Sequence, residues 1–171
     1  MEVDDARPSR PPRVRNVIIR TAVGQDWPRI YPFFSLIVAA GRTYAFPEGL
    51  SLEDARPWWM EEPPGRTVVA LDGDTVLGSA KMAPNRPGRG SHVATASFMV
   101  DPDHQGQGVG RALGGHVLDW ARSGGYHSIQ LNAASRPTTR LCISGGCWAS
   151  RFSPPSQKPS TTPRTGWWVC T

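Results

Sequence analysis

The chain has no acidic residue after Asp119, although its 171 residues carry 14 Asp and Glu. That gap decides how the charge is read. A formal net charge of +5 invites a nucleic-acid assignment. Residues 1–134, however, hold 14 Lys and Arg against all 14 acids. The whole excess is Arg136, Arg140, Arg151, Lys158 and Arg164. The body is therefore neutral, and nucleic acid is not the expected partner.

Other absences narrow the field further. No run approaches the roughly 20 apolar residues of a membrane helix, so no membrane role is expected. The stretch from Met1 to Arg15 is polar and proline-rich, unlike a secretory signal, and the expected location is cytoplasmic. Cysteine is scarce: Cys142, Cys147 and Cys170 all lie in the basic tail. His104 and His116 have no metal-ligand spacing to other His, Asp or Glu residues, so no metal is expected.

What is present reads as one α/β (α+β) domain over residues 14–134, after a charged, proline-rich arm at 1–13. Val17–Thr21 is β-branched and reads as a strand. Asp26 is placed to cap a helix running to about Ala40, with Ile30, Phe33, Phe34, Ile37 and Val38 as its apolar stripe. Pro32 is expected to kink it. Ser51, with Asp54 three residues on, resembles a capping box for a helix through Met60. Thr67–Leu71 and Thr75–Met82 flank Asp72-Gly73-Asp74, a hairpin turn. His92–Val100 and Ile129–Ala133 read as strands. Between them Gly108–Ser123 is helical and ends at Gly124-Gly125. This order implies a mixed sheet with helices on both faces.

The chemistry concentrates in Val100-Asp-Pro-Asp-His-Gln-Gly-Gln-Gly-Val-Gly-Arg111. A strand ends, Pro102 forces a turn, and glycines open a helix whose first amides have no internal partner. Glycine there lets an anion come close to the backbone. No Gly-Lys-Ser/Thr follows, so this is not a nucleotide-triphosphate loop. A dinucleotide fingerprint would need a third glycine or alanine where Arg111 stands.

Gln105-x-x-Gly108-x-Gly110, directly after Val100-x-Pro102, resembles the acetyl-CoA motif of the GNAT superfamily of N-acetyltransferases. The preceding order of elements resembles that superfamily as well, over about residues 14–134. The resemblance implies a mixed, mostly antiparallel sheet flanked by helices, with acetyl-CoA as co-substrate. Backbone groups of Met99 and Val100 would pair with the pantetheine arm. The amides of Gln105, Gly106, Gln107, Gly108, Val109 and Gly110 would hold the pyrophosphate, with Arg111 in reach of a phosphate. Asn132 would stand on the strand that splays away to admit the thioester.

An amine, on a small molecule or a protein, would attack the acetyl carbonyl directly. Many relatives carry a glutamate base on the strand before the cradle, and His92–Val100 has none. His92 and Glu48 are the candidates instead. Histidine's ordinary pKa of about 6.5 suits a base, although His92 reads first as a polar strand-start residue. The alternative function is a non-catalytic CoA binder or an inactive product.

Residues 135–171 depart from the superfamily, which continues with a helix and two strands. Read one base earlier, Cys147-Trp148-Ala149 must encode Leu-Gly with Phe permitted next, and Cys142-Ile143 must give Tyr or His. That restores a pattern close to the missing helix, so the tail reads either as frameshifted near Ala134 or as a genuine basic disordered segment. The C-terminal elements are accordingly expected to be missing or irregular, with no helix across Thr138–Ala149. The sheet would then end at an exposed Ile129–Ala133 edge.

Overall fold

The structure, a computed structural model, describes residues 17–131 together with short strands at Cys142–Ile143, Gly146–Cys147 and Trp168–Cys170. Five strands are followed in chain order: β1 (Ile18–Thr21), β2 (Arg66–Asp72), β3 (Thr75–Pro84), β4 (Val93–Val100) and β5 (Ser128–Leu131). Helices α1 (Trp27–Ala39) and α2 (Leu52–Trp59) lie between β1 and β2, and α3 (Val109–Ser123) links β4 to β5. The sheet order is β1-β2-β3-β4-β5, antiparallel up to β4, with β5 parallel to β4. A crossover helix between parallel neighbours accounts for that one parallel pair.

Two apolar layers hold the sheet from either side. Toward α3, Val68, Ala70, Leu77, Ala80, Met82, Ala94 and Ala96 meet Val109, Leu113, Val117 and Ala121. Toward α1 and α2, Val69, Leu71, Val76 and Met99 meet Ile30, Phe33, Phe34, Val38 and Trp59. The alternation along β2, Val68 to one layer and Val69 to the other, is the period-two signature of a sheet covered on both faces. Burial of each large apolar side chain contributes about 1.5–3 kcal/mol.

Of the two expectations about α1, one needs correction, at Asp26. Pro32 lies inside the helix, which continues to Ala39. Only its own missing N–H is lost, opposite Pro28 in the first turns, while burial of Phe33 and Phe34 fixes the rest. Asp26 does not cap α1 through its side chain. Its carboxylate turns back to accept from the Val23 N–H at 2.8 Å and from both Arg20 nitrogens at 2.6 and 2.8 Å. Ser51 does cap α2, accepting from the Asp54 N–H at 3.1 Å.

The sheet also does not stop at β5. A strand β8 (Trp168–Cys170) pairs parallel to it, with Ser128 opposite Trp168 and Gln130 opposite Cys170. Cys142–Ile143 (β6) and Gly146–Cys147 (β7) form a separate antiparallel pair within the span where no helix was expected. Among the described residues, no helix is long and apolar enough to cross a membrane.

Candidate active site

The site begins where β4 loses a neighbour. β3 follows β4 along its length, from Pro84 opposite Ala94 to Gly78 opposite Val100. On the other side β5 pairs only with Val93 to Ala96, ending at Leu131. Among the described residues, Ser97–Val100 has no strand on that side.

The direction of each peptide group follows from two contacts at the strand ends. Val93 O accepts from Asn85 N at 2.8 Å, and Asp101 N donates to Leu77 O at 3.0 Å. Both lie on the β3 side, so odd-numbered residues face β3 and even-numbered ones face away. Met99 is buried, and a Cβ added at Gly78 would lie 2.7 Å from its carbonyl oxygen, which places that oxygen against β3. The polar groups on the open side therefore belong to Phe98 and Val100. One is already in use: the Tyr44 hydroxyl donates to Phe98 O at 2.6 Å.

Beyond Val100 the chain turns through a 3-10 segment, Pro102–His104, closed by Asp101 Oδ1 accepting from Asp103 N at 3.0 Å. His104 Nδ1 sits 3.3 Å from Asp101 Oδ2 without a well-aligned hydrogen bond. The Gln105 N–H is occupied, donating to Pro102 O at 3.4 Å. Gly106 and Gly108 then take φ of +76° and +96°, values that L side chains rarely adopt. Gly108 is the N-cap of α3, and a Cβ there would point into open space.

The first helical amides, on Val109, Gly110 and Arg111, are the ones an α-helix leaves without internal partners. Gly110 lies close to Val100, its notional Cβ 3.6 Å from Val100 Cγ2. Arg111 is exposed. The result is a concave run of backbone donors at the positive end of a 15-residue helix, suited to a diphosphate.

A second feature lies on the α1–α2 face of the same strands. A cavity of about 440 Å³ opens between the loop at 43–46, the end of α2, and the faces of β3 and β4. Tyr44, Phe46 and Trp58 wall it, and Asn85, Thr95 and Ser97 line its strand side. Its charged lining residues are Glu61 and Lys81. Lys81 Nζ donates to Glu61 Oε1 and to Trp58 O, both at 2.9 Å. It also stands over the Phe46 and Trp59 rings at 5.9 and 6.0 Å.

Glu61 is held by its backbone: its N–H donates to Thr67 Oγ1 at 2.9 Å, and that buried hydroxyl donates to Trp59 O at 2.9 Å. Tyr44 stacks on Phe46 with centroids 5.1 Å apart and meets Trp59 edge-on. Burial pushes the Tyr44 phenol well above its usual range, so it stays protonated.

The residues expected from the sequence thus fall into four groups, the first being Met99 and Gln105, whose backbone groups are engaged by β3 and by Pro102 O. Val100 and the run Gly106 to Arg111 come together at one end of β4. Asn132 lies outside the described residues. His92 and Glu48 reach neither the cradle nor the cavity. His92 precedes β4 at the opposite end of that strand, with Nδ1 2.9 Å from Arg89 O and its ring 5.8 Å from that of His127. Glu48 is exposed in a turn. Sequence reasoning missed Glu61 and Lys81. The signal for Lys81 was a charged residue within an otherwise largely apolar strand, and Glu61, in the loop between α2 and β2, carried none.

A family model described as "Acetyltransferase (GNAT) family" matches residues 30–142. Among solved structures, a GCN5-related N-acetyltransferase from Kribbella flavida is 53% identical with a TM-score of 0.63, over 66% of this chain and 69% of that one. The protein yncA of Salmonella typhimurium, solved with its cofactor acetyl-CoA, is 25% identical with a TM-score of 0.58, over 66% of each chain. N-acetyltransferase aca1 of Schizosaccharomyces pombe is 36% identical over 70 residues, 40% of this chain. This chain spans about a third of the length of that protein. With the cradle, the sheet order and the family match in agreement, the chain belongs to the GNAT acetyltransferase family.

Proposed function

We propose that the chain transfers the acetyl group of acetyl-CoA to an amine by direct attack. The observation that carries this reading is continuity: an open backbone edge at Phe98 and Val100 runs straight into a glycine cradle. The Val109 to Arg111 amides and the Arg111 guanidinium would hold the pyrophosphate. The Val100 carbonyl, and the lone pair that Tyr44 leaves on the Phe98 carbonyl, would receive the pantetheine arm as an added strand, with the Val100 N–H kept for the thioester.

The acceptor would occupy the neighbouring cavity. An aliphatic amine, like a lysine, has a pKa near 10.4 and arrives protonated. It must lose that proton to attack. Among the described residues lining the cavity, the Tyr44 phenol is held protonated and Lys81 Nζ acts as a donor, which leaves the Glu61 carboxylate as the acceptor of the proton, directly or through water. The nitrogen lone pair then bonds to the acetyl carbon, and the Val100 N–H meets the charge that develops on the carbonyl oxygen. The carbon–sulfur bond breaks, the acylated nitrogen gives up its second proton, and the thiolate takes one of the two protons while the other passes to solvent, giving the N-acetyl product and free CoA.

The test is calorimetry with acetyl-CoA followed by a thiol-release assay over a panel of amines. Saturable binding with amine-dependent CoA release is expected. Binding without release for any amine would favour the non-catalytic CoA binder, and no binding would remove the reading altogether.

A further inference from the structure

We infer that Lys81 and Glu61 form a paired charge receptor, and that the acceptor is an amine bearing its own carboxylate. The inference rests on the transferase reading above and deepens it. Its starting point is position. Lys81 stands opposite Ser97 in the β3–β4 register. Ser97 is the first residue of β4 past the last β5 pair, Ala96 with Leu131. The ion pair is therefore level with the point where the open edge begins. Phe98 and Val100 lie one and three residues further on, roughly 3–10 Å along the strand.

The second observation is charge. Among the described residues, the cavity is lined by one ammonium and one carboxylate, 2.9 Å apart, whose charges balance. Neither group is sealed off: the side chains keep 20% and 30% of their exposure. A cation alone would leave Lys81 facing it as a like charge, and an anion alone would meet Glu61. A zwitterion satisfies both, its ammonium against the carboxylate that is to take its proton and its acid group against Lys81 Nζ. Charge-assisted hydrogen bonds of this kind are the stronger ones in a protein.

The third observation is that Lys81 is positioned before any ligand arrives. The Trp58 carbonyl and the Phe46 and Trp59 ring faces fix its nitrogen, so little side-chain freedom remains to be lost on binding. A lysine whose sole task was to neutralise Glu61 would not need those additional contacts.

The test compares acids with their own amides: glycine, β-alanine, 4-aminobutanoate and L-glutamate against the matching primary amides. CoA release gives kcat/KM, and calorimetry gives acetyl-CoA affinity. For at least one pair, the acid is expected to exceed its amide by about tenfold or more. In Lys81→Gln that ratio should fall toward one, while acetyl-CoA affinity and melting temperature stay close to wild type. In Lys81→Arg the preference should be retained. Taking the ratio of wild type to variant cancels the amine's own basicity. Amides used as well as acids throughout, or a preference that survives Lys81→Gln, would overturn the inference while leaving the transferase intact. Acetyl-CoA binding with no amine accepted would overturn the transferase reading, and the acceptor class with it.

Discussion

The cradle and the cavity sit on neighbouring stretches of the same two strands, yet they are built from different material. The cradle is backbone: two glycines at positive φ and the first amides of α3. The cavity is side chains: three aromatics, a lysine from β3 and a glutamate just beyond α2, brought together from between Tyr44 and Lys81 in the sequence. A backbone site requires a local order of glycines and a helix start. A side-chain site requires only that the fold deliver suitable groups, whatever their spacing. The first tolerates most changes of side chain and fails when the chain path is blocked, whereas the second should behave in the opposite way.

The largest expected effect breaks the cradle. Gly108 holds φ +96°, a region costing a non-glycine residue about 1–2 kcal/mol, and a β-branched one more. Its Cβ would also enter the open space in front of the α3 amides. Gly108→Val should weaken acetyl-CoA binding by about 100-fold or more in calorimetry while the protein still melts cooperatively. Gly108→Ala, which keeps most of the backbone strain and adds little bulk, should lose less. Equal losses in the two variants would mean that strain, and not access of the pyrophosphate, governs the site.

Next in size is Glu61→Gln, which leaves the cradle untouched. A positioned general base contributes about 10²–10⁴-fold. Glu61 lies at a partly exposed cavity wall, so a fall of about 100-fold in kcat/KM is expected, with acetyl-CoA affinity within twofold of wild type. A parallel loss of acetyl-CoA affinity would join the two regions into one unit and end the distinction between them.

The same contrast explains what the sequence made legible. Strands, helices and the cradle were readable because each is written locally: alternation along β2, the Ser51 cap, and glycines directly after Val100-x-Pro102. Two of the expected backbone donors are turned elsewhere, at Met99 and at Gln105, whose N–H donates to Pro102 O. Strand parity turns Met99 toward β3 and gives the open edge to Phe98 and Val100, and parity is fixed by pairing with β3, which one strand read alone does not carry. The cavity was not legible. Lys81 meets Glu61 only because the turn after α2, anchored through Thr67, returns over the face of β3. His92 and Glu48 carried the right chemistry in linear order but lie at other points of the fold. Tyr44 and Phe46, aromatic residues of a loop, line the cavity only because that loop folds back over β3 and β4.

A smaller effect concerns the scaffold behind the cavity. Asp26 is 2% exposed, and the Arg20 guanidinium bonded to it holds its carboxyl below the ordinary value of 3.8. A depressed folded pKa contributes stability that is fully present above the ordinary value and is lost as pH falls through the folded one. Asp26→Asn should lower the melting temperature at pH 7. The gap from wild type should then narrow as pH drops below about 4, read as melting curves across pH 7 to 2.5. A gap independent of pH would show that the carboxylate's charge is not what Arg20 recognises.

The smallest expected effect sharpens the comparison by testing residues that belong to neither region. His92 precedes Val100 by eight positions, roughly 26 Å along an extended strand. It is exposed, and its ring is engaged by Arg89 O and His127. Glu48 is exposed in a turn beside Gly49, which holds φ +70°, and it is not among the residues lining the cavity. Surface substitutions of this kind change stability by about 0.5 kcal/mol or less. The double variant His92→Ala, Glu48→Gln should therefore keep kcat/KM within about twofold and melt within a few degrees of wild type. Its pH–rate profile should follow the wild-type profile, since neither group would exchange a proton with the acceptor. If kcat/KM fell tenfold with acetyl-CoA affinity unchanged, the proton would be leaving the amine by a route outside the cavity, and Glu61 would lose its assignment as the base.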